Sequence, residues 1–166
     1  MKKFNRYMIV QKLINSNGFT LIETVVVLII TGLLVAIALP NYNKTIGYYN
    51  LDNSARLLAS DIRSIQQTAI KNESSNFNML FNTANDRYYL RNGTTPYKTV
   101  NLPSSVRLVF VHGFMTPNNN KLELAANGIP YNRFGGHISL QDRKTGKFLY
   151  VVVDPVGRVR VSETAP

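Results

Sequence analysis

The chain has 166 residues, room for one domain and an appendage. It carries a formal charge of +10, and 45% of its residues are apolar. It contains no cysteine, which excludes disulfides, zinc–thiolate clusters and a thiol nucleophile.

The charge is unevenly placed. Lys2, Lys3, Arg6 and Lys12 precede Gly18, and no acid does; without residues 1–18 the balance falls to +6. Basic residues on one flank of an apolar span fix its direction in a membrane. Much of the basicity therefore reads as an orientation signal and not as a ligand site.

Residues 25–39 are apolar apart from Thr31 and Gly32. The stretch from Leu21 to Pro40 covers about 30 Å as a helix, the thickness of a hydrocarbon core. Such a run fits a signal anchor. It also fits a cleaved secretory signal, since Ala36-Ile37-Ala38 is a small-x-small site. Glu23 suits neither. A carboxylate in or near hydrocarbon costs up to about 3 kcal/mol, less near an end. A nearby ammonium lowers that cost. Cleavage between Gly18 and Phe19 creates one, and residues i and i+4 share a helix face, so the new amine and Glu23 can pair. A helix N-terminus also favours negative charge.

Gly18-Phe19-Thr20-Leu21-Ile22-Glu23, followed by an apolar run ending at Pro40, resembles the class III signal of type IV prepilins and pseudopilins. The resemblance implies that a prepilin peptidase cuts after Gly18 on the cytoplasmic side and N-methylates Phe19. It also implies that Glu23 pairs with the terminal amine of a neighbouring pilin or pseudopilin subunit during assembly. The expected location is a single pass through inner-membrane lipid, with the C-terminal domain exported, and then a filament or pseudopilus.

Pro40 either ends the span or sits inside a longer helix. In the second case it leaves the Ala36 carbonyl without its partner and bends the axis. Gly32 weakens the same stretch. In related filaments the segment matching Gly32 to Pro40 can lose helical structure on assembly. A kinked continuous helix is expected before assembly.

Beyond Pro40, Leu51, Ala55, Leu58, Ile62, Ile65 and Ala69 recur every three or four residues, a narrow amphipathic stripe. Asp52, Arg56, Asp61, Arg63 and Gln66 fall on the other faces, with Leu57 and Ile70 beside the stripe. So short a stripe suits packing on a domain better than a coiled coil. One helix from Phe19 to Lys71 is expected, about 80 Å long. Its first half needs lipid or identical helices around it, and its second half docks on its own domain.

The strand pattern begins at Phe77. Residues 77–81 and 87–90 flank a turn at 82–86, giving a hairpin. Residues 106–111 alternate. Residues 137–142 and 148–154 flank the basic turn 143–147. A last strand is expected over 158–162, and 121–125 reads as a further candidate strand. Loops are expected at 72–78, 116–120 and 128–136. The expected fold class is α+β: a long N-terminal helix beside two small antiparallel sheets. The expected domains are a leader (1–18), the helix (19–72, spanning the membrane at about 21–40) and an exported β-rich domain (73–166). Asn127-Gly128 through Gly136, the second hairpin and Gly157-Arg158-Val159-Arg160 resemble the GspH/FimT subgroup of pilin-like proteins. That likeness covers most of residues 55–161 and implies a minor subunit of a type II secretion system or type IV pilus.

Catalysis finds little footing. His112 and His137 lie 25 positions apart without a ligand pattern and read as solvated or strand-end residues. Gly113, Gly135 and Gly136 form no phosphate loop. Asp142 and Asp154 read as caps of strand ends. No enzymatic activity, cofactor or metal is expected. The C-terminal third gathers Arg133, Arg143, Lys144, Lys147, Arg158 and Arg160. These fit a solvated edge strand protected by charge. They also fit a phosphate-binding patch, because some FimT-like minor pilins contact DNA through a Gly-Arg-x-Arg segment. On that alternative the candidate DNA-binding residues are Arg143, Lys144, Lys147, Arg158 and Arg160, in a competence pilus.

Overall fold

A computed structural model describes residues 18–114 and 120–166. The expected leader, as far as Asn17, and most of the loop expected at 116–120 lie outside the described residues. The chain divides into two compact units, Met1–Leu39 and Pro40–Pro166.

Helix α1 covers Leu21–Lys71 without interruption at Pro40. It starts two residues later than the sequence suggests, because Thr20 caps it. The Glu23 amide donates to Thr20 Oγ1 at 3.3 Å, and the Thr24 amide to the Thr20 carbonyl at 3.1 Å. A hydroxyl accepting from the N3 amide satisfies one of the donors a helix start leaves open. Glu23 stands at N3 in the first turn.

Among the described residues eight strands follow in the second unit: β1 (Phe77–Asn82), β2 (Arg87–Asn92), β3 (Thr95–Asn101), β4 (Val106–His112), β5 (Lys121–Glu123), β6 (Gly136–Asp142), β7 (Phe148–Val153) and β8 (Val159–Ser162). They make two antiparallel four-stranded sheets, ordered β3-β2-β1-β5 and β4-β6-β7-β8. A short 3-10 turn lies at Tyr131–Arg133.

The six stripe residues of α1 are each 0% exposed and join one core cluster with Met79, Phe81, Leu90, Leu108, Leu140 and Val151. Each large aliphatic residue among them contributes about 2 kcal/mol by leaving water. The packing role of the stripe is borne out, but its narrowness is not. Ser54, Ala59, Asp61 and Gln66 are also buried, so Asp61 and Gln66 do not lie on a solvent face as the spacing suggested. Each has a polar partner. Asp61 accepts from the Tyr88 hydroxyl at 2.8 Å and from Lys98, and Gln66 Nε2 donates to the Gly157 carbonyl at 2.8 Å. Burial, and then the Asp61 carboxylate, raise the Tyr88 pKa far above the ordinary phenol value.

Strand β3 is absent from the sequence reading. It contains Pro96, lies at an edge and is exposed along nearly its whole length. A strand with no buried face leaves no alternation to detect, and an edge tolerates proline. Strand ends also shift: β1 reaches Asn82, β2 reaches Asn92 and β6 starts at Gly136, while β5 is only three residues long and β8 begins at Val159. Arg158 therefore precedes the last strand.

Candidate functional site

Gly18 and Phe19 lie just before α1, and Phe19 is 83% exposed. Residues Leu21–Leu39 form a 19-residue apolar segment with a mean hydropathy of 2.7, none of it buried within the chain. The one hydroxyl in the middle of this segment is satisfied internally, since Thr31 Oγ1 donates to the Val27 carbonyl at 2.7 Å. A hydrocarbon environment would offer that hydroxyl no other partner. A Cβ built at Gly32 would meet nothing within 4 Å, so this glycine leaves a gap on an open helix surface. The segment has the length and apolarity to cross a membrane, and the one carboxylate in its first turn is Glu23.

Thr20 is the residue the sequence reading missed. Its signal was present as Thr-x-x-Glu before an apolar run, the pattern of a capping box. Glu23 thus lies in the first turn of α1, where the helix dipole favours a negative charge.

The candidate basic residues do not gather into one patch. Arg143, Lys144 and Lys147 occupy the β6–β7 turn, whereas Arg158 and Arg160 lie at and after the β7–β8 turn. The whole of β7 separates the two groups, roughly 17 Å or more. Several have partners within the chain. Arg143 pairs with Asp86, the Lys147 ammonium lies 5.2 Å from the centre of the Tyr48 ring, and Arg158 Nε is 3.8 Å from Asp154.

The Gly157–Arg160 segment is sewn to α1 through its backbone. The Gly157 carbonyl accepts from Gln66, and the Val159 carbonyl accepts from Arg63 at 2.8 Å. Gly157 has φ +85°, where a side chain is strained, and a Cβ there would lie 3.3 Å from Gln66 Nε2. The segment therefore closes the sheet, while the Arg158 and Arg160 side chains remain exposed.

Asp142 is more than a strand-end cap. Fully buried, it accepts from the Thr145 amide at 2.9 Å and from the Thr145 hydroxyl, holding the basic turn. Burial alone raises its pKa. Hydrogen bonds from Thr145, then the Lys144 amide and charge, outweigh burial and leave the value lowered.

On the outer face of the second sheet, Phe110, His112, His137, Tyr150 and Phe148 form a continuous chain of rings with centroids 5.5 to 6.1 Å apart. His112 and His137 stand directly opposite each other in the β4–β6 register. Both are at strand ends, as expected, but their adjacency is set by strand pairing and not by sequence spacing. Burial, and then the neighbouring His112, lower the His137 pKa.

Residues 14–39 match the family described as the prokaryotic N-terminal methylation motif. No curated protein matches the sequence. Among solved structures, the type IV minor pilin FimU of Pseudomonas aeruginosa is similar, with a TM-score of 0.55 at 11% identity, covering 69% of this chain and 90% of that one. The minor pseudopilin EpsH from the type 2 secretion system of Vibrio cholerae is similar with a TM-score of 0.51 at 12% identity, covering 68% of this chain and 96% of that one. The chain thus joins an N-terminal methylation motif to a type IV pilin-like fold.

Proposed function

We propose that this chain is a minor subunit of a type II secretion pseudopilus or a type IV pilus. A prepilin peptidase removes residues 1–18 and methylates Phe19. The segment at about 21–40 anchors the subunit in the inner membrane with the domain from residue 73 exported, and the subunit then enters a filament through α1. It acts by assembling with other pilin or pseudopilin subunits and not by catalysis.

One observation carries this reading: an unburied, predominantly apolar segment of 19 residues, Leu21–Leu39, preceded by Gly18-Phe19-Thr20 and carrying Glu23 in its capped first turn. A bare apolar rod needs lipid or other rods around it. Helix bundles exchange one for the other with little loss of apolar burial, so register comes from close packing and from polar pairs. Glu23, paired with the amine of a neighbouring Phe19, supplies such a register.

The test separates anchoring from assembly. Glu23→Leu is expected to leave cleavage and membrane insertion intact and to abolish incorporation into sheared filaments. Normal incorporation of Glu23→Leu, or an intact mass showing a start at Leu39, overturns the reading.

A second reading, DNA contact in an uptake pilus, is favoured by the exposed side chains of Arg158 and Arg160 on a backbone fixed to α1. Phosphate contacts would be independent of sequence and strongly dependent on salt. Unchanged low-salt binding of duplex DNA by the Arg158→Ala, Arg160→Ala double variant removes it.

A further inference from the structure

We propose that His112 and His137 form a binding site for a divalent transition-metal ion of the zinc or nickel type on the outer face of the second sheet. The two imidazoles come from adjacent strands at directly paired positions, with ring centres 5.7 Å apart and planes inclined by 53°. A metal bound to one nitrogen of each ring at about 2.0–2.1 Å in tetrahedral geometry sets the ring centres roughly 5 Å apart. The observed ring spacing is close to that arrangement.

The rings are held from both sides. Phe110 stacks on His112 at 5.5 Å, and Tyr150 meets His137 edge-on at 5.8 Å. Packing of this kind limits the rotamers that a metal would otherwise have to select, so less order is lost on binding. Both histidines line an open cleft of about 360 Å³. Gly113, Gly135 and Gly136 also line it and contribute no side chain that could block the approach. Asp154 lies on the same cleft.

The donor set defines the ion. Imidazole suits zinc, nickel and copper, whereas calcium and magnesium need oxygen ligands. Among the described residues no three metal-ligating side chains come together, so water fills the remaining positions. Arg160 lines the cleft as well, one strand beyond His137 across Val152. Its charge opposes a cation. The site is therefore weak, and the sign of the Arg160 effect is diagnostic.

The experiment uses the untagged full chain in detergent micelles, titrated with zinc and nickel salts and with calcium and magnesium as controls. The chain has only two histidines, so imidazole ¹H–¹⁵N NMR reports on the site directly. Expected are coupled shifts of both rings at one metal per chain with zinc or nickel and none with calcium or magnesium. Loss of affinity of roughly tenfold or more is expected in either His112→Gln or His137→Gln. Arg160→Gln should tighten binding. Thermal melts without metal check that each variant keeps its fold. Equal binding by the double histidine variant, equal response to calcium, or weaker binding by Arg160→Gln each overturns the proposal.

Discussion

Arg143 in the β6–β7 turn pairs with Asp86, 57 positions earlier in the β1–β2 turn, and so ties one sheet to the other. The other oxygen of Asp86 accepts from the Leu108 amide at 2.8 Å, and its carbonyl accepts from the Leu102 amide at 2.9 Å. Asp86 thus serves three segments from a backbone at φ 48°. Removing Arg143 deletes a pair whose arginine is 45% exposed, and such pairs contribute at most about 1 kcal/mol. Removing Asp86 also strands the Leu108 amide, at about 1–3 kcal/mol. Asp86→Ala is therefore expected to lower the melting temperature by several degrees more than Arg143→Ala, measured by circular dichroism. Equal shifts would mean that the amide finds another acceptor.

Gly47 is needed for space. A Cβ there would lie 2.9 and 3.1 Å from the two oxygens of Asp142, which is fully buried and cannot retreat. In an open helix Gly→Ala stabilises by about 1 kcal/mol. Here Gly47→Ala is expected to destabilise despite that gain. Asp142→Ser, which shortens the side chain, should relieve the clash. In a double-mutant cycle the Gly47→Ala penalty should shrink in the Asp142→Ser background, because residues in contact do not add.

The same carboxylate gives a pH signature. Its folded pKa lies below the ordinary 3.8, so between the two values the unfolded chain binds more protons. Its contribution is present above about pH 4 and is lost as pH falls through the folded value. Burial opposes the ionised form, and Thr145 and Lys144 favour it. Asp142→Asn, which does not titrate, is expected to be less stable near neutrality and to show a shallower loss of stability below pH 4. Parallel acid limbs for the two proteins would assign the acid response to other groups.

What was legible in the sequence follows from what has a period or a fixed order. Glu23, Gly18 and Phe19 stand in an ordered string, and the stripe from Leu51 to Ala69 repeats at helical spacing; both are readable without knowing what they touch. Strands with one buried face, such as β1 and β6, show through their apolar residues. Strand β3 does not, because neither of its faces is buried. Long-range partners leave no local trace either. Asp61 and Gln66 look like solvent residues by spacing and become buried only because Tyr88, Lys98 and the Gly157 carbonyl reach them. The basic residues read as one cluster because they are near in sequence, yet β7 holds the two groups apart.

Asp61 offers the sharpest test of how α1 is fixed to the first sheet. Its side chain is 7% exposed and serves two partners of different kinds: the Tyr88 hydroxyl, itself fully buried, and the Lys98 ammonium on β3, which is 44% exposed. Asp61→Asn keeps an acceptor for the hydroxyl and loses the charge pair. Asp61→Ala removes both and leaves a buried hydroxyl without a partner, at about 1–3 kcal/mol. Tyr88→Phe removes the stranded donor instead. Asp61→Ala is therefore expected to be the most destabilising single change, and adding Tyr88→Phe to it should recover part of the loss. The strand that Lys98 ties down should respond separately. Lys98→Ala is expected to speed amide exchange in β3 while β1 and β2 stay protected, because β3 is an edge strand with almost no burial of its own. Exchange rising equally in all three strands would show that the ion pair supports the sheet as a whole.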